Sequence, residues 1–153
     1  MALHPHAGTL IETAEQVLRA LEVVEVGWCL DTGHRLIGGT DPVQFAREYG
    51  DRVGHVHLKD VDAALAVELR AGRRSLLSAT RDGLFKALGK GDARIAEVMD
   101  ALDAHGYAGW LVLEQDTAIT GDEPTVAGGP MRDARESIAF LHQSARMTEE
   151  INR

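Results

Sequence analysis

A chain of 153 residues, 44% hydrophobic and 26% charged, is long enough to bury its own core, and a single domain over residues 1–153 is expected. The formal net charge of −8 excludes a nucleic-acid backbone as the main partner, because that binding needs a basic footprint. No apolar run reaches the roughly 20 residues that span a bilayer, and no basic stretch leads into an apolar signal core, so no membrane partner and a cytoplasmic address are expected.

Leu3-His4-Pro5-His6 reads as the end of a strand with His4 and His6 on one face, and Gly8 as a turn residue. Thr13 can cap a helix with Gln16 at its third position, and Val17, Leu21 and Val24 follow at helical spacing. Residues 26–31, Val-Gly-Trp-Cys-Leu-Asp, form an apolar strand ending on a carboxylate. Its Cys29, the only cysteine, has no disulfide partner within the chain and is expected to be a buried thiol. Thr32-Gly33-His34 and Gly38-Gly39 read as loop. Asp41-Pro42 then supplies a cap and a first-turn proline for a helix carrying Val43, Ala46 and Tyr49 and ended by Gly50.

Residues 53–60, Val-Gly-His-Val-His-Leu-Lys-Asp, divide a strand into two faces. His55, His57 and Lys59 share one, and Val56 and Leu58 share the other, so one face is chemical and the other is packing. Helices are expected over 62–70, with Leu65 and Leu69 on one side, and over 75–85. Leu88-Gly89-Lys90-Gly91 is a turn, Asp92 a cap, and Ile95, Val98, Met99 and Leu102 a helical stripe ended by Gly106. Residues 110–114, Trp-Leu-Val-Leu-Glu, repeat the pattern of an apolar strand closing on a carboxylate. A loop over 120–130 leads to a terminal helix packing through Ala134, Ile138 and Leu141, with fraying expected from Met147. Trp28 and Trp110 are expected in packing.

Strand and helix thus alternate four times, which implies an α/β fold with a parallel sheet whose carboxyl ends lie at one edge. His6, Asp31, His57 and Glu114 would meet at that rim. Asp, Glu and His donors with open positions suit a divalent cation better than a closed thiolate zinc site. Each residue also has a plainer role: Asp31 suits an Asx-type turn, His55 packing or a bond to a neighbour, and Lys59 an ion pair with Asp60 or Glu114. Glu114 follows a buried strand and needs some partner.

Four motifs, Cys29-Leu30-Asp31-Thr32-Gly33-His34, His55-Val56-His57-Leu58-Lys59-Asp60, Leu88-Gly89-Lys90-Gly91-Asp92 and the run from Gly106 to Asp116, together resemble the xylose-isomerase-like TIM-barrel superfamily of sugar isomerases and epimerases. Within it they are most similar to the inosose dehydratases of inositol catabolism. The resemblance implies a divalent metal, Mn²⁺ or Co²⁺ ahead of Mg²⁺ or Zn²⁺, at the carboxyl-end face of a (β/α)₈ barrel. Asp31, His57 and Glu114 would be its ligands, with His6 near the place of a ligand from an earlier strand. His34 matches a substrate-contacting position and His55 is a second substrate-binding candidate. Lys59 and His34 are the candidates for proton transfer or oxyanion stabilisation.

The implied reaction is a lyase step on an inosose or related sugar: a base removes the proton α to the carbonyl, and water leaves through an enediolate. A sugar isomerase or ketose 3-epimerase using the same ligands is the alternative, and a catalytically incomplete, sugar-binding remnant is another. The matches cover only the last four strands of an eight-stranded barrel, and Ala87 stands where relatives often have proline. A C-terminal half-barrel is therefore expected, completed by a homo-oligomer or by a missing N-terminal half.

Overall fold

The computed structural model describes residues 1–125 and 128–151, with side chains through residue 144. Four strands, β1 (Ala2–Leu3), β2 (Gly27–Asp31), β3 (Val53–Leu58) and, later in the chain, β6 (Leu111–Leu113), form one sheet in the order β1-β2-β3-β6. Every pairing in it is parallel, with Leu3 opposite Trp28, Asp31 opposite His57 and Leu58 opposite Leu113. The sheet is open, with β1 and β6 at its edges, and it forms part of a barrel. Consecutive strands in chain order are neighbours, so their carboxyl ends fall along one rim.

Between strands run α1 (Ala14–Val23), α2 (Thr32–Gly38), α3 (Pro42–Tyr49), α4 (Ala63–Arg70), α5 (Leu76–Arg81) and α6 (Ile95–Ala104), and α7 (Gly129–Ile151) closes the order. Helix α1 starts where the sequence predicts: the Thr13 hydroxyl accepts from Gln16 N–H, and the Gln16 side chain accepts from Thr13 N–H. Asp41 caps α3 through Val43 N–H at 2.9 Å, with Pro42 in its first turn.

Alternation along the strands divides the sheet's two faces. Trp28, Leu30, Val56 and Leu58 are fully buried and pack with Val17 of α1, Val43 and Phe45 of α3, and Ile95, Val98 and Leu102 of α6. Burying each such side chain contributes about 1.5–3 kcal/mol. The opposite positions, Cys29, Asp31, His55 and His57, are left for the concave side. A smaller cluster of Ile37, Val61, Ala66, Ala79 and Leu84 seats α4 and α5 beside α2.

Six expectations need correction. Thr32-Gly33-His34 is not loop but the first turn of α2, which Asp31 caps and Gly39 ends in the left-handed conformation at φ 87°. The segment after β3 holds a short antiparallel pair, β4 (Asp60–Val61) with β5 (Phe85–Lys86), that no pattern predicts at two residues per strand. Asp92 does not cap α6: Arg94 occupies that position, and Asp92 instead accepts from Ala63 N–H at 2.8 Å. Trp110 is not in packing, being 80% exposed. In α7 the inward residues are Ser137, Phe140 and Leu141, whereas Ile138 is exposed. The α7 backbone stays helical to Ile151, beyond the expected fraying at Met147, whose side chain lies outside the described part.

Candidate functional site

The strand ends decide what converges. Asp31 closes β2 and is also the cap of α2, its Oδ1 accepting from His34 N–H at 2.8 Å. That bond fixes the carboxylate and leaves Oδ2 buried without a hydrogen-bond partner. Around Oδ2 stand His4 Nε2 at 3.4 Å, His57 Nδ1 at 3.6 Å, Lys59 Nζ at 3.8 Å and His34 Nε2 at 3.9 Å. Burial alone would raise the Asp31 carboxyl, but His4, His34 and Lys59 outweigh it and hold it at about 2. Asp31 is therefore an anion at neutral pH, with one oxygen uncommitted.

His57, opposite Asp31 in the register, points Nδ1 at Glu114 Oε1, 3.0 Å away. Glu114 follows β6 and its N–H bonds the Leu58 carbonyl at 3.0 Å, which brings its carboxylate alongside the end of β3. Ligand atoms of Asp31, His57 and Glu114 all lie within 4.8 Å of one another. Burial pushes the His57 imidazole down against the pull of Glu114 and Asp31, so it is a neutral donor at neutral pH. Two carboxylates and one neutral imidazole, with the Asp31 oxygen unsatisfied, fit a divalent cation.

Lys59 lies one residue past β3, where Thr32 anchors it. The Thr32 hydroxyl accepts from Lys59 N–H at 2.9 Å and donates to the Lys59 carbonyl at 2.7 Å. A Cβ at Gly33 would sit 2.7 Å from Lys59 Cγ, so only glycine lets α2 pass this close. The ammonium is 2.8 Å from Glu114 Oε2 and 2.8 Å from Asp116 Oδ2. Burial works against its charge, but Asp31, Asp116 and Glu114 prevail and raise its pKa. Lys59 is thus a protonated donor, and its 3.2 Å contact makes His34 Nε2 the acceptor. His34, 3% exposed, is driven down to about 3, mainly by burial with Asp31 pulling the other way, and is neutral.

The remaining expected residues lie nearby in other roles. The His6 ring lies tilted by 40° against His34, centroids 3.6 Å apart, and its Nδ1 approaches the Ala7 carbonyl at 2.8 Å; it does not join the donor atoms gathered from Asp31, His57 and Glu114. His55 is half-buried, its ring edge-on to His57 with centroids 5.1 Å apart. Two participants escape a reading of strand ends. His4, and not His6, reaches Asp31, and Asp116 lies two residues beyond its strand's carboxylate. The shared face of His4 and His6 was the only signal for His4, and the second carboxylate of Glu-Gln-Asp the only one for Asp116.

Comparison with known proteins bears on the family and the fold. The profile of the family described as xylose isomerase-like TIM barrel matches residues 1–144. An inosose dehydratase of Geobacillus thermodenitrificans (strain NG80-2) is 40% identical over 121 residues, covering 76% of this chain and 41% of that protein. The rhizopine catabolism protein MocC of Rhizobium meliloti is 36% identical over 118 residues, covering 76% and 36%. Among solved structures, a D-tagatose 3-epimerase-like protein superposes with a TM-score of 0.63 at 20% identity, covering 99% of this chain and 49% of its own. An L-ribulose 3-epimerase does so at 0.61 and 22%, covering 99% and 50%. The chain therefore spans about half, or less, of the length of these proteins.

Proposed function

We propose that this chain, which belongs to the xylose isomerase-like TIM-barrel family, carries the cation-binding and proton-transfer part of a sugar-modifying site, and that its reaction is dehydration of an inosose-like polyol ketone. The observation that carries the reading is the Asp31 carboxylate, anionic and buried with Oδ2 free beside His57 and Glu114. The identity of the curated relatives supports the dehydratase. A divalent cation held by Asp31, His57 and Glu114, Mn²⁺ or Co²⁺ in preference to Mg²⁺ or Zn²⁺, would supply Lewis-acid polarisation of the carbonyl.

Lys59 then has one role and His34 another. The ammonium is the group able to donate, either to the oxygen that gains charge as the α proton leaves or to the departing β-hydroxyl. Neutral His34 accepts a hydrogen bond from Lys59 and, backed by the His6 ring, keeps the ammonium turned to the rim. His55, farther back on the concave face, is the candidate for contacts with substrate hydroxyls.

The test is turnover of an inosose by Mn²⁺-loaded protein, with product analysis for loss of water. A loaded, folded sample of the whole functional protein inactive on inososes and ketoses alike would overturn the reading. A second reading, 3-epimerisation of a ketose, is favoured by the two epimerase neighbours. It predicts inversion at one carbon with no water lost, and the same product analysis separates the two.

A further inference from the structure

Among the described residues, two groups of donor atoms occupy the concave face, and one of them belongs to the reaction above. The second is His4, Cys29 and His57, whose ligand atoms also lie within 4.8 Å of one another. It follows from the strand pattern. Cys29 precedes Asp31 by two residues and so shares its face of β2, about 7 Å back along the strand. His4 follows β1, the neighbour of β2, and its ring lies edge-on to His57 with centroids 4.7 Å apart. Cys29 is 3% exposed, and His4 Nε2 and His57 Nδ1 are buried and out of hydrogen-bond geometry with the carboxylate oxygens that face them, Asp31 Oδ2 at 3.4 Å and Glu114 Oε1 at 3.0 Å. Buried nitrogens satisfied this poorly are available to a cation.

We propose that His4, Cys29 and His57 form a second cation site that takes soft or borderline ions such as Cd²⁺, Zn²⁺ and Cu⁺, and that filling it excludes the cation at Asp31, His57 and Glu114. A thiolate with two imidazoles selects soft ions, whereas two carboxylates with one imidazole suit harder ones. Burial, with the Asp31 and Glu114 charges behind it, pushes the Cys29 thiol up to about 12, so the sulfur becomes an anionic ligand only as the incoming cation displaces its proton to solvent. Exclusion follows from His57. A neutral imidazole has one lone pair, its other nitrogen carrying hydrogen, so it serves one ion at a time. The chain thus has a built-in vulnerability: a soft ion draws His57 away from the rim.

The soft site stands on its own geometry, while its effect on turnover rests on the reaction proposed above; binding is therefore tested without substrate. Titrating metal-free native protein with Cd²⁺ is expected to give an ultraviolet sulfur-to-cadmium charge-transfer band that Cys29→Ser lacks. Cd²⁺ affinity is expected to fall at least about tenfold in Cys29→Ser, with Mn²⁺ affinity unchanged. A ¹¹³Cd resonance on the native chain, requiring no variant, is expected at a shift characteristic of a sulfur ligand. Equal Cd²⁺ affinity of native and variant, or a ¹¹³Cd shift typical of nitrogen and oxygen ligands alone, would overturn the proposal. If the soft site is confirmed and added Cd²⁺ leaves bound Mn²⁺ in place, the exclusion is overturned and two independent sites remain.

Discussion

Asp31 divides its two oxygens between fold and chemistry: Oδ1 starts a helix while Oδ2 faces a ring of four basic groups. The same crowding makes His34 a reporter of acid stability. Its pKa is about 3 in the folded chain against an ordinary 6.5, so between those values the unfolded chain binds a proton that the native chain does not. Stability from this group is fully present above about pH 6.5 and is lost as pH falls toward 3, with a limiting slope of about 1.4 kcal/mol per pH unit. Urea unfolding of metal-free protein between pH 4 and 7 is expected to show that slope, and His34→Gln to reduce it. Lys59 offers a different separation. Its ammonium competes with any cation for Glu114, so Lys59→Met is expected to bind Mn²⁺ at least as tightly as the native chain while turnover falls about 10²–10⁴-fold, read by calorimetry and by product formation on the same sample.

At the scale of elements, the β4-β5 excursion is held by one side chain. Buried Asp60 accepts from the N–H groups of Val61, Gly89, Gly91 and Ala93 at 2.9–3.0 Å, so the 89–93 loop folds around a carboxylate. Gly91 is obligatory there, since a Cβ would lie 2.4 Å from Asp60 Oδ1. Asp60→Ala leaves four amides without their acceptor and is expected to cost about 3 kcal/mol or more, measured as a drop in urea midpoint. The sequence made the parallel sheet, α1, α3 and α6 readable, α1 and α3 through local capping residues and α6 through its apolar stripe alone. What it hid depended on neighbours: α2 looks like loop because Gly33 and Gly38 have low helix propensity, yet Gly33 is needed for the approach to Lys59. Asp31, His57 and Glu114 were readable as strand-end residues, whereas the choice between His4 and His6 turns on a tight turn, in which Thr9 N–H bonds the His6 carbonyl at 3.1 Å, that no periodicity reveals. Trp110 misled for the opposite reason, being large and apolar yet at an edge.

Across the molecule, four parallel strands end in two edges that are unpaired among the described residues. Leu111 of edge strand β6 and the adjacent Trp110 are exposed, and such edges recruit further strands. Association through β1 and β6, with a second copy or with a complementary set of β/α units, is expected. Sedimentation of this chain alone should show concentration-dependent assembly that a charged substitution, Leu111→Lys, weakens. No helix among the described residues is long and apolar enough to cross a membrane. The acidic balance of the sequence reappears as carboxylates at the rim, where Glu114 and Asp116 flank the ammonium.

Every donor in both proposed ion-binding groups comes from β1, β2, β3, β6 or the residue just after one of them. Metal affinity on this view is portable: joined to a different complementary set of strands, these units should keep their ion while the newcomer reshapes the sugar pocket. Swapping that complement is then a route to altered substrate choice that leaves the inorganic chemistry alone.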